Sequence, residues 1–426
     1  MRCPISLVPS VPLVPSPKTV SLMKLHTWLP GLACLLIAGI ASAAYPTFSS
    51  TKPNGGQRGT DVQVVLSGSQ LTDFDGILFM SPGFALKSTD KVEGNKVTVT
   101  LTIGKEVPPG LHMFRIRTKT GLSHFRPFYV GQFPNIEEKE PNNDFEGTEA
   151  DAPQRVELNR TVEGVVQAED VDYYKITAKK GQRISVEVEA LRLGYQVFDP
   201  YVAVLDKNRF EIAAADDSIL FRQDSYLNFT VPEDGDYTVM VRESSYRGSP
   251  TSFYRLHVGS FRRPEIVYPA GGKIGSTTKV RFIERDGQSF DEDVKLPAES
   301  DQRLLLLSKS QEAAPNGNPF RVMPFDNALE AEPNDEMPKA TPAPSGEPIA
   351  LNGIIEKKGD IDFFQVPLKK GMKLDVLGFA QSLGSPLDPV VNVYNEKGGS
   401  LGGNDDGGGR RRLDSKLTVN IPADGN

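Results

Sequence analysis

A chain of 426 residues, 24% charged and 38% hydrophobic, has room for several soluble modules and fits neither a disordered polymer nor a membrane-embedded bundle. Its formal net charge of −7 argues against broad electrostatic binding to nucleic acid, which demands a basic surface. Acidic modules do offer oxygen ligands to hard cations such as Ca²⁺.

Residues 23–43 read as a secretory signal. Lys24 supplies a positive start, Leu32 through Ile40 an apolar run, and Ala41-Ser42-Ala43 a small-residue cleavage site. The proline-rich residues 1–22 fit no part of a signal, which points to Met23 as the start. The apolar run is shorter than the about 20 residues a membrane span needs, so a signal is expected rather than an anchor. Cys3 and Cys34, the two cysteines, both precede the expected cleavage point. The mature chain would carry none, which removes disulfides, thiol catalysis and cysteine metal sites together. Cys34 lies inside the apolar run and not at its end, which argues against lipid attachment. No later segment is long and apolar enough to span a membrane. The expected location is therefore extracytoplasmic: secreted, periplasmic or cell surface.

Beyond the leader, short alternating runs recur between Gly, Pro, Asn and Asp clusters. Asp61-Val62-Gln63-Val64-Val65-Leu66, Lys96-Val97-Thr98-Val99-Thr100-Leu101-Thr102-Ile103 and Arg183-Ile184-Ser185-Val186-Glu187-Val188 are examples. β-Branched residues at period two, bounded by turn formers, describe half-buried antiparallel strands. The fold class is all-β, built from tandem sandwiches.

An internal repeat sets the architecture. Asp170-Val171-Asp172-Tyr173-Tyr174 recurs as Asp360-Ile361-Asp362-Phe363-Phe364, and Lys179-Lys180-Gly181 as Lys369-Lys370-Gly371. Phe198-Asp199-Pro200 matches Leu387-Asp388-Pro389, and Asp216-Asp217 matches Asp405-Asp406. The offset stays at about 190 residues, as duplicated structural units require. A Gly-turn segment, residues 54–60, precedes the first copy, and a similar one, residues 270–276, precedes the second. The expected organisation is a leader (1–43), a short module (44–132), a longer acidic module (133–261), a second short module (262–327) and a second long one (328–426). In the first long module Asp234-Gly235-Asp236 leads into a closing strand, Tyr237-Thr238-Val239-Met240-Val241. The second reaches Asp424-Gly425-Asn426 where that strand is due, so a fragment of a longer protein is expected, its sheet edge unpaired.

Each long module opens on an acidic motif: Glu138-Lys139-Glu140-Pro141-Asn142-Asn143-Asp144 in one, Glu330-Ala331-Glu332-Pro333-Asn334-Asp335 in the other. Glutamates at alternate positions of an extended segment point to one side. The proline fixes its own φ and biases its neighbour to extended geometry. Ca²⁺ takes about 6–8 oxygens in flexible geometry, and this mixture supplies several of them. The competing reading is a solvated acidic linker.

The ordered set Glu-x-Glu-Pro-Asn-(Asn/Asp), Asp-x-Asp-aromatic-aromatic, Lys-Lys-Gly, Asp-Asp and Asp-Gly-x-Tyr resembles the bacterial pre-peptidase C-terminal (PPC) domain. The resemblance covers roughly half the chain, residues 138–260 and 330–426. It implies jelly-roll sandwiches like those of collagen-binding domains, carried on secreted proteases, collagenases and surface proteins. The shorter modules resemble immunoglobulin-like IPT/TIG domains in their Gly turns and strand spacing. In related collagen-binding modules the acidic segment binds calcium. Carried over by position, that implies Glu138, Glu140, Asn142, Asn143 and Asp172 in the first long module, and Glu330, Glu332, Asn334, Asp335 and Asp362 in the second. Asn143 stands where the second copy has Asp335, so the first site is expected to be weaker or to use Asp144.

Catalysis finds little support. His112, His124 and His257 would survive leader removal, and no Gly-x-Ser-x-Gly elbow, His-Glu-x-x-His motif or phosphate-cradling loop is present. Paired carboxylates of the glycosidase kind stay open, since acids are abundant and their geometry is not visible in sequence. Asp216-Asp217 and Asp405-Asp406 fit turns, and Arg410-Arg411-Arg412 fits a solvated hairpin tip. Tyr195, Phe198, Tyr201, Tyr226, Tyr246 and Tyr254 offer a binding face in principle, but core packing is the preferred account. The expected function is a non-catalytic binding or scaffold protein, calcium-braced, docking an extracellular polymer or protein: collagen-like, polysaccharide or cell-wall component. The alternatives are the ancillary region of a larger secreted peptidase or hydrolase, and an inert spacer.

Overall fold

The computed structural model describes residues 45–147, 151–309, 314–344, 348–407 and 414–426; the expected leader (1–43) and Arg410-Arg411-Arg412 lie outside them. The regular structure of the described residues is strand, apart from three single-turn 3-10 helices at Leu191–Leu193, Met337–Lys339 and Gln381–Leu383. None of the described helices is long and apolar enough to cross a membrane.

The alternation in the sequence becomes alternation in burial. Lys96–Ile103 buries every second residue, so Val97, Val99, Leu101 and Ile103 face one core. That strand belongs to a four-stranded sheet in the order Thr47–Lys52, Asp61–Ser69, Lys96–Ile103, Phe84–Glu93. The facing sheet runs Gly55–Gln57, Arg126–Gly131, Gly110–Thr118, Phe74–Phe79. Phe48, Leu66, Phe114, Ile116 and Phe128 from both sheets fill the space between. Each such side chain removed from water contributes about 1.5–3 kcal/mol.

Two five-stranded sheets follow. One runs Asn135–Glu137, Arg160–Val165, Phe253–Gly259, Arg183–Glu189, Tyr226–Thr230. The other runs Gln154–Arg155, Val171–Ala178, Gly235–Glu243, Pro200–Leu205, Glu211–Ala215. Val162, Val186, Leu256 and Val258 of the first meet Tyr174, Val204, Val239 and Val241 of the second in one core. Late strands therefore lie at the centre of both sheets, which binds the end of this segment to its beginning.

A smaller core follows between two three-stranded sheets, with Val280, Phe282, Phe320 and Val322 at its centre. The last segment holds four two-stranded pairings: Asn327–Leu329 with Ala350–Asn352, Thr341–Pro342 with Phe364–Gln365, Lys373–Leu377 with Lys416–Asn420, and Val391–Tyr394 with Ser400–Asn404.

The sequence repeat is also a repeat of hydrogen bonds. Asp224 caps the 3-10 turn by accepting from the amides of Ala190, Leu191 and Arg192, and Asp414 does the same for Ala380, Gln381 and Ser382. Ser225 Oγ donates to Pro200 O as Ser415 Oγ donates to Pro389 O. The docking of each long segment on the short one before it is repeated too. Asn135 Nδ2 donates to Gly55 O at 3.0 Å, and Asn327 Nδ2 to Gly271 O at 2.7 Å.

A buried charged joint ties three of the cores together. Arg255, 1% exposed, donates to Glu163 Oε1 at 2.8 Å and to Glu189 Oε2 at 2.9 Å. Glu163 also accepts from Asn54 N at 3.0 Å, and Glu189 from Asn316 Nδ2 at 2.6 Å. Arg263 pairs with the fully buried Glu187 and donates to Asn316 O at 2.8 Å. Charges removed from water this completely persist only when paired.

Candidate metal centre

The extended backbone after Asn135–Glu137 carries Glu138 and Glu140 on one side, two residues apart, as the alternation of a strand requires. Glu138 is fixed from three directions. Val165 N donates to its Oε2 at 2.9 Å, the Tyr174 hydroxyl donates to Oε1 at 2.6 Å, and the Tyr254 hydroxyl oxygen lies 2.8 Å from the same Oε1. Asp172 lies on Val171–Ala178 with no exposed surface, and its Oδ2 accepts from Tyr254 at 2.6 Å. One carboxylate oxygen each from Glu138, Glu140 and Asp172 falls within 4.8 Å of the others.

Those charges perturb each other. Burial, and then the Glu138 charge, push the Asp172 carboxyl well above its usual range. Burial, then Glu138 and Asp170, push Glu140 up as well. Burial holds the Tyr174 and Tyr254 hydroxyls protonated, so they act as donors into the cluster. The donors still do not exhaust the oxygens. Asp172 Oδ1, Asp170 Oδ1 and both polar atoms of the fully buried Asn142 find no partner in the protein. Buried polar atoms are nearly always satisfied, so such a concentration at one place calls for an explanation.

The second acidic motif repeats this framework. Ile354 N donates to Glu330 Oε1 at 2.8 Å, as Val165 N does to Glu138. Asn334 N donates to Glu332 Oε2 at 2.9 Å, as Asn142 N does to Glu140 at 3.0 Å. Phe363 N reaches Asn334 O as Tyr173 N reaches Asn142 O, and both Glu–Pro peptide bonds are cis. Glu330, Glu332 and Asp362 again converge within 4.8 Å. Burial, and then Asp362 and Glu332 against the opposing Ile354 amide, push Glu330 up to about 7. Glu330 Oε2, Asn334 Oδ1, Asp335 Oδ1 and Asp362 Oδ1 are buried without partners. Gly353 closes one side: a Cβ there would lie 2.2 Å from Asp362 Oδ2 and 2.7 Å from Glu330 Oε2.

The fit to a divalent ion is good in chemistry: hard carboxylate oxygens converge, with buried oxygens left over beside them. Of the residues named from sequence, Glu138, Glu140 and Asp172 come together, as do Glu330, Glu332 and Asp362. Asn142 and Asn334 are buried beside them, whereas Asn143 is exposed and its Oδ1 accepts from the neighbouring Asn142 N at 3.3 Å. Asp144 caps its own turn through Glu146 N at 3.0 Å. Asp335 lies beside Asp360.

Sequence reasoning missed Asp170, Tyr174 and Tyr254. Asp170 opens the Asp-x-Asp motif and carried a signal; Tyr254 had none, because its strand arrives from the far end of the segment. Glu187, Glu189 and His257 also fall within 4.8 Å of one another. Burial alone would raise Glu189, but His257, Arg255 and Arg192 outweigh it and hold it well below the usual range. Cations already fill that cluster. Of the aromatic residues, Phe198, Tyr226 and Tyr254 are core, and Tyr246 is 47% exposed.

Comparison with known proteins places part of this chain. It is 36% identical over 95 residues to the probable subtilase-type serine protease DR_A0283 of Deinococcus radiodurans; that match covers 22% of this chain. The chain spans 13% of that relative's length. The pre-peptidase C-terminal domain of collagenase from Bacillus anthracis superposes with a TM-score of 0.22 at 16% identity, covering 26% of this chain and 99% of that one. The periplasmic lysozyme inhibitor PliG of Aeromonas hydrophila superposes at 0.20 with 18% identity, covering 25% and 95%. Residues 170–243, which carry Asp170, Asp172 and Tyr174, match the model of the bacterial pre-peptidase C-terminal domain.

Proposed function

We propose that this chain is a non-catalytic binding or scaffold region in which Ca²⁺ occupies both acidic clusters and stiffens the module junctions for docking on an extracellular polymer or protein. The observation that carries the reading is the duplicated convergence of three carboxylates beside buried, unpartnered oxygens. Residues 328–426 are read as a second module of the PPC type, and residues 44–132 and 262–327 as IPT/TIG-like spacers. In the first site Glu138, Glu140 and Asp172 would hold the ion; in the second, Glu330, Glu332 and Asp362. The ion would supply positive charge that replaces repulsion with bridging. The protein's own groups orient the carboxylates: the Val165 and Ile354 amides in both sites, and Tyr174 and Tyr254 in the first.

Calorimetric titration of the whole chain with Ca²⁺ tests this. Two sites are expected, both lost in the Glu140→Gln/Glu332→Gln double variant; no binding at millimolar Ca²⁺ refutes the reading. A pull-down on collagen, chitin and cell-wall polymer, with Ca²⁺ or with chelator, separates docking from an inert spacer. The second reading, an ancillary region of a secreted peptidase, is favoured by the identity shared with the subtilase-type relative. Its test is whether a chain extended with its genomic neighbour cleaves protein.

A further inference from the structure

Each long segment docks on the short one before it, yet the two acidic clusters meet different phenol groups. In the first, Tyr174 of the same segment donates to Glu138 Oε1 at 2.6 Å. The second has Phe364 at that position, and the corresponding oxygen, Glu330 Oε2, is buried without a partner. The preceding short segments differ in the opposite sense. Lys52 stands before Pro53 and Gly55-Gly56 in one, and pairs with the exposed Glu137 at 3.8 Å. Tyr268 holds the same place in the other, before Pro269 and Gly271-Gly272.

Tyr268 reaches the wall of the second cluster. Its hydroxyl donates to Asn352 O at 3.2 Å, the same carbonyl that accepts from Glu330 N at 2.9 Å. The next residue, Gly353, is the one whose Cβ would meet Asp362 and Glu330, and Ile354 after it donates to Glu330 Oε1. The Asn352 side chain closes a ring between the segments. Its Nδ2 donates to Asn327 Oδ1 at 3.3 Å, and Asn327 Nδ2 donates to Gly271 O at 2.7 Å. Burial, and then the Glu330 charge, push the Tyr268 hydroxyl up to about 12, so at neutral pH it stays a donor beside that carboxylate.

We propose that the second cation site is shared between two segments: Tyr268 is a positioning residue that the short segment lends to Glu330, in the role that Tyr174 fills from within the first. The inference rests on the proposed occupation of both clusters by Ca²⁺. An outer-shell group that orients a ligating carboxylate is worth about 10–100-fold in metal affinity. Because this one belongs to the neighbouring segment, affinity at the second site would depend on the docking of residues 262–327. The ion would in turn tighten that docking, since such coupling is reciprocal. The first site draws Tyr174 from its own segment and would lack this route.

The test is calorimetric titration of the whole chain with Ca²⁺. The second site is read in a Glu140→Gln chain and the first in a Glu332→Gln chain. Tyr268→Phe is expected to weaken the second site at least about tenfold and to leave the first unchanged, which also shows that the variant folds. Adding Phe364→Tyr, which restores a phenol where the first long segment has Tyr174, should recover most of the loss. An unchanged second site overturns the proposal while leaving calcium binding intact. Equal weakening of both sites overturns it too. So does a loss that Phe364→Tyr fails to recover, since Tyr268 would then only pack the junction. If neither site binds Ca²⁺ before Tyr268 is changed, the calcium reading of the clusters fails and this inference falls with it.

Discussion

Asp172→Asn tests the metal reading most sharply, because its effect should change sign with calcium. Without the ion, the buried Asp172 carboxylate faces Glu138 and Glu140 oxygens within 4.8 Å. At an effective dielectric of about 20, each such pair repels by about 3 kcal/mol. The protein does not sustain that sum, because Asp172 can take up a proton instead. Holding an acid of ordinary value 3.8 protonated at neutral pH costs at most about 4 kcal/mol, at about 1.4 kcal/mol per pH unit. Asparagine removes this cost and keeps an oxygen for the Tyr254 hydroxyl. In chelator at pH 7 the variant should therefore be more stable than wild type, by up to about 4 kcal/mol. The sign follows from the raised carboxyl: wild type is favoured below the ordinary value and loses that stability as pH rises through the shifted one, so the advantage should vanish near pH 4. With Ca²⁺ at about a hundredfold its dissociation constant, wild type gains about 2.7 kcal/mol that the variant largely forgoes. At about 3–5 °C per kcal/mol for a domain of this size, scanning calorimetry of the whole chain resolves both arms. A variant that melts lower in chelator, and that calcium raises as much as wild type, refutes the argument.

Gly353→Ala should remove one of two calcium sites while leaving the affinity of the other unchanged in calorimetric titration, since the added methyl group would meet Asp362 and Glu330. Arg255→Met should cost about 3–5 kcal/mol in denaturant unfolding, because the buried Glu163 would lose its cation and Glu189 one of its cations. Raising the pH from about 4.5 to 7 in chelator should lower the melting temperature as the Glu330 carboxyl, pushed up to about 7, ionises beside Asp362 and Glu332, and Ca²⁺ should restore it in scanning calorimetry.

The fold class was legible because strand alternation is local: residues 96–103 alternate in sequence and in burial alike. The acidic clusters were legible in part for the same reason, since Glu138 and Glu140 reach one side by strand geometry alone. What local pattern cannot encode is which distant strand lies alongside. Tyr254 reaches Glu138 only because Phe253–Gly259 inserts beside Arg160–Val165. Glu163, Glu187, Glu189, Arg255 and Arg263 carry no local mark of burial in the sequence; they are buried where neighbouring segments cover that face. Asn143 shows the limit of transfer between copies: its Asp335 counterpart has Asp360 to face, whereas Asn143 turns back on its own loop.

The proposed metal site and the joint between the cores share a strand. Asn135 donates to Gly55 O and, at 2.6 Å, to Glu163 Oε1, while Glu163 accepts from Arg255. Two residues beyond Glu163, the Val165 amide holds Glu138. Any force that fixes Glu138 therefore bears on Arg160–Val165, and through Glu163 on the preceding module. An ion bound there would brace, from the Glu138 side, the joint that Glu163 and Arg255 already form between one sandwich and the next. The repeated Asn327–Gly271 contact and the Ile354–Glu330 bond place the same linkage at the second junction. Without the ion, the repelling carboxylates would act on the strand that carries the joint, so stiffness between modules should follow calcium before any loss of fold does.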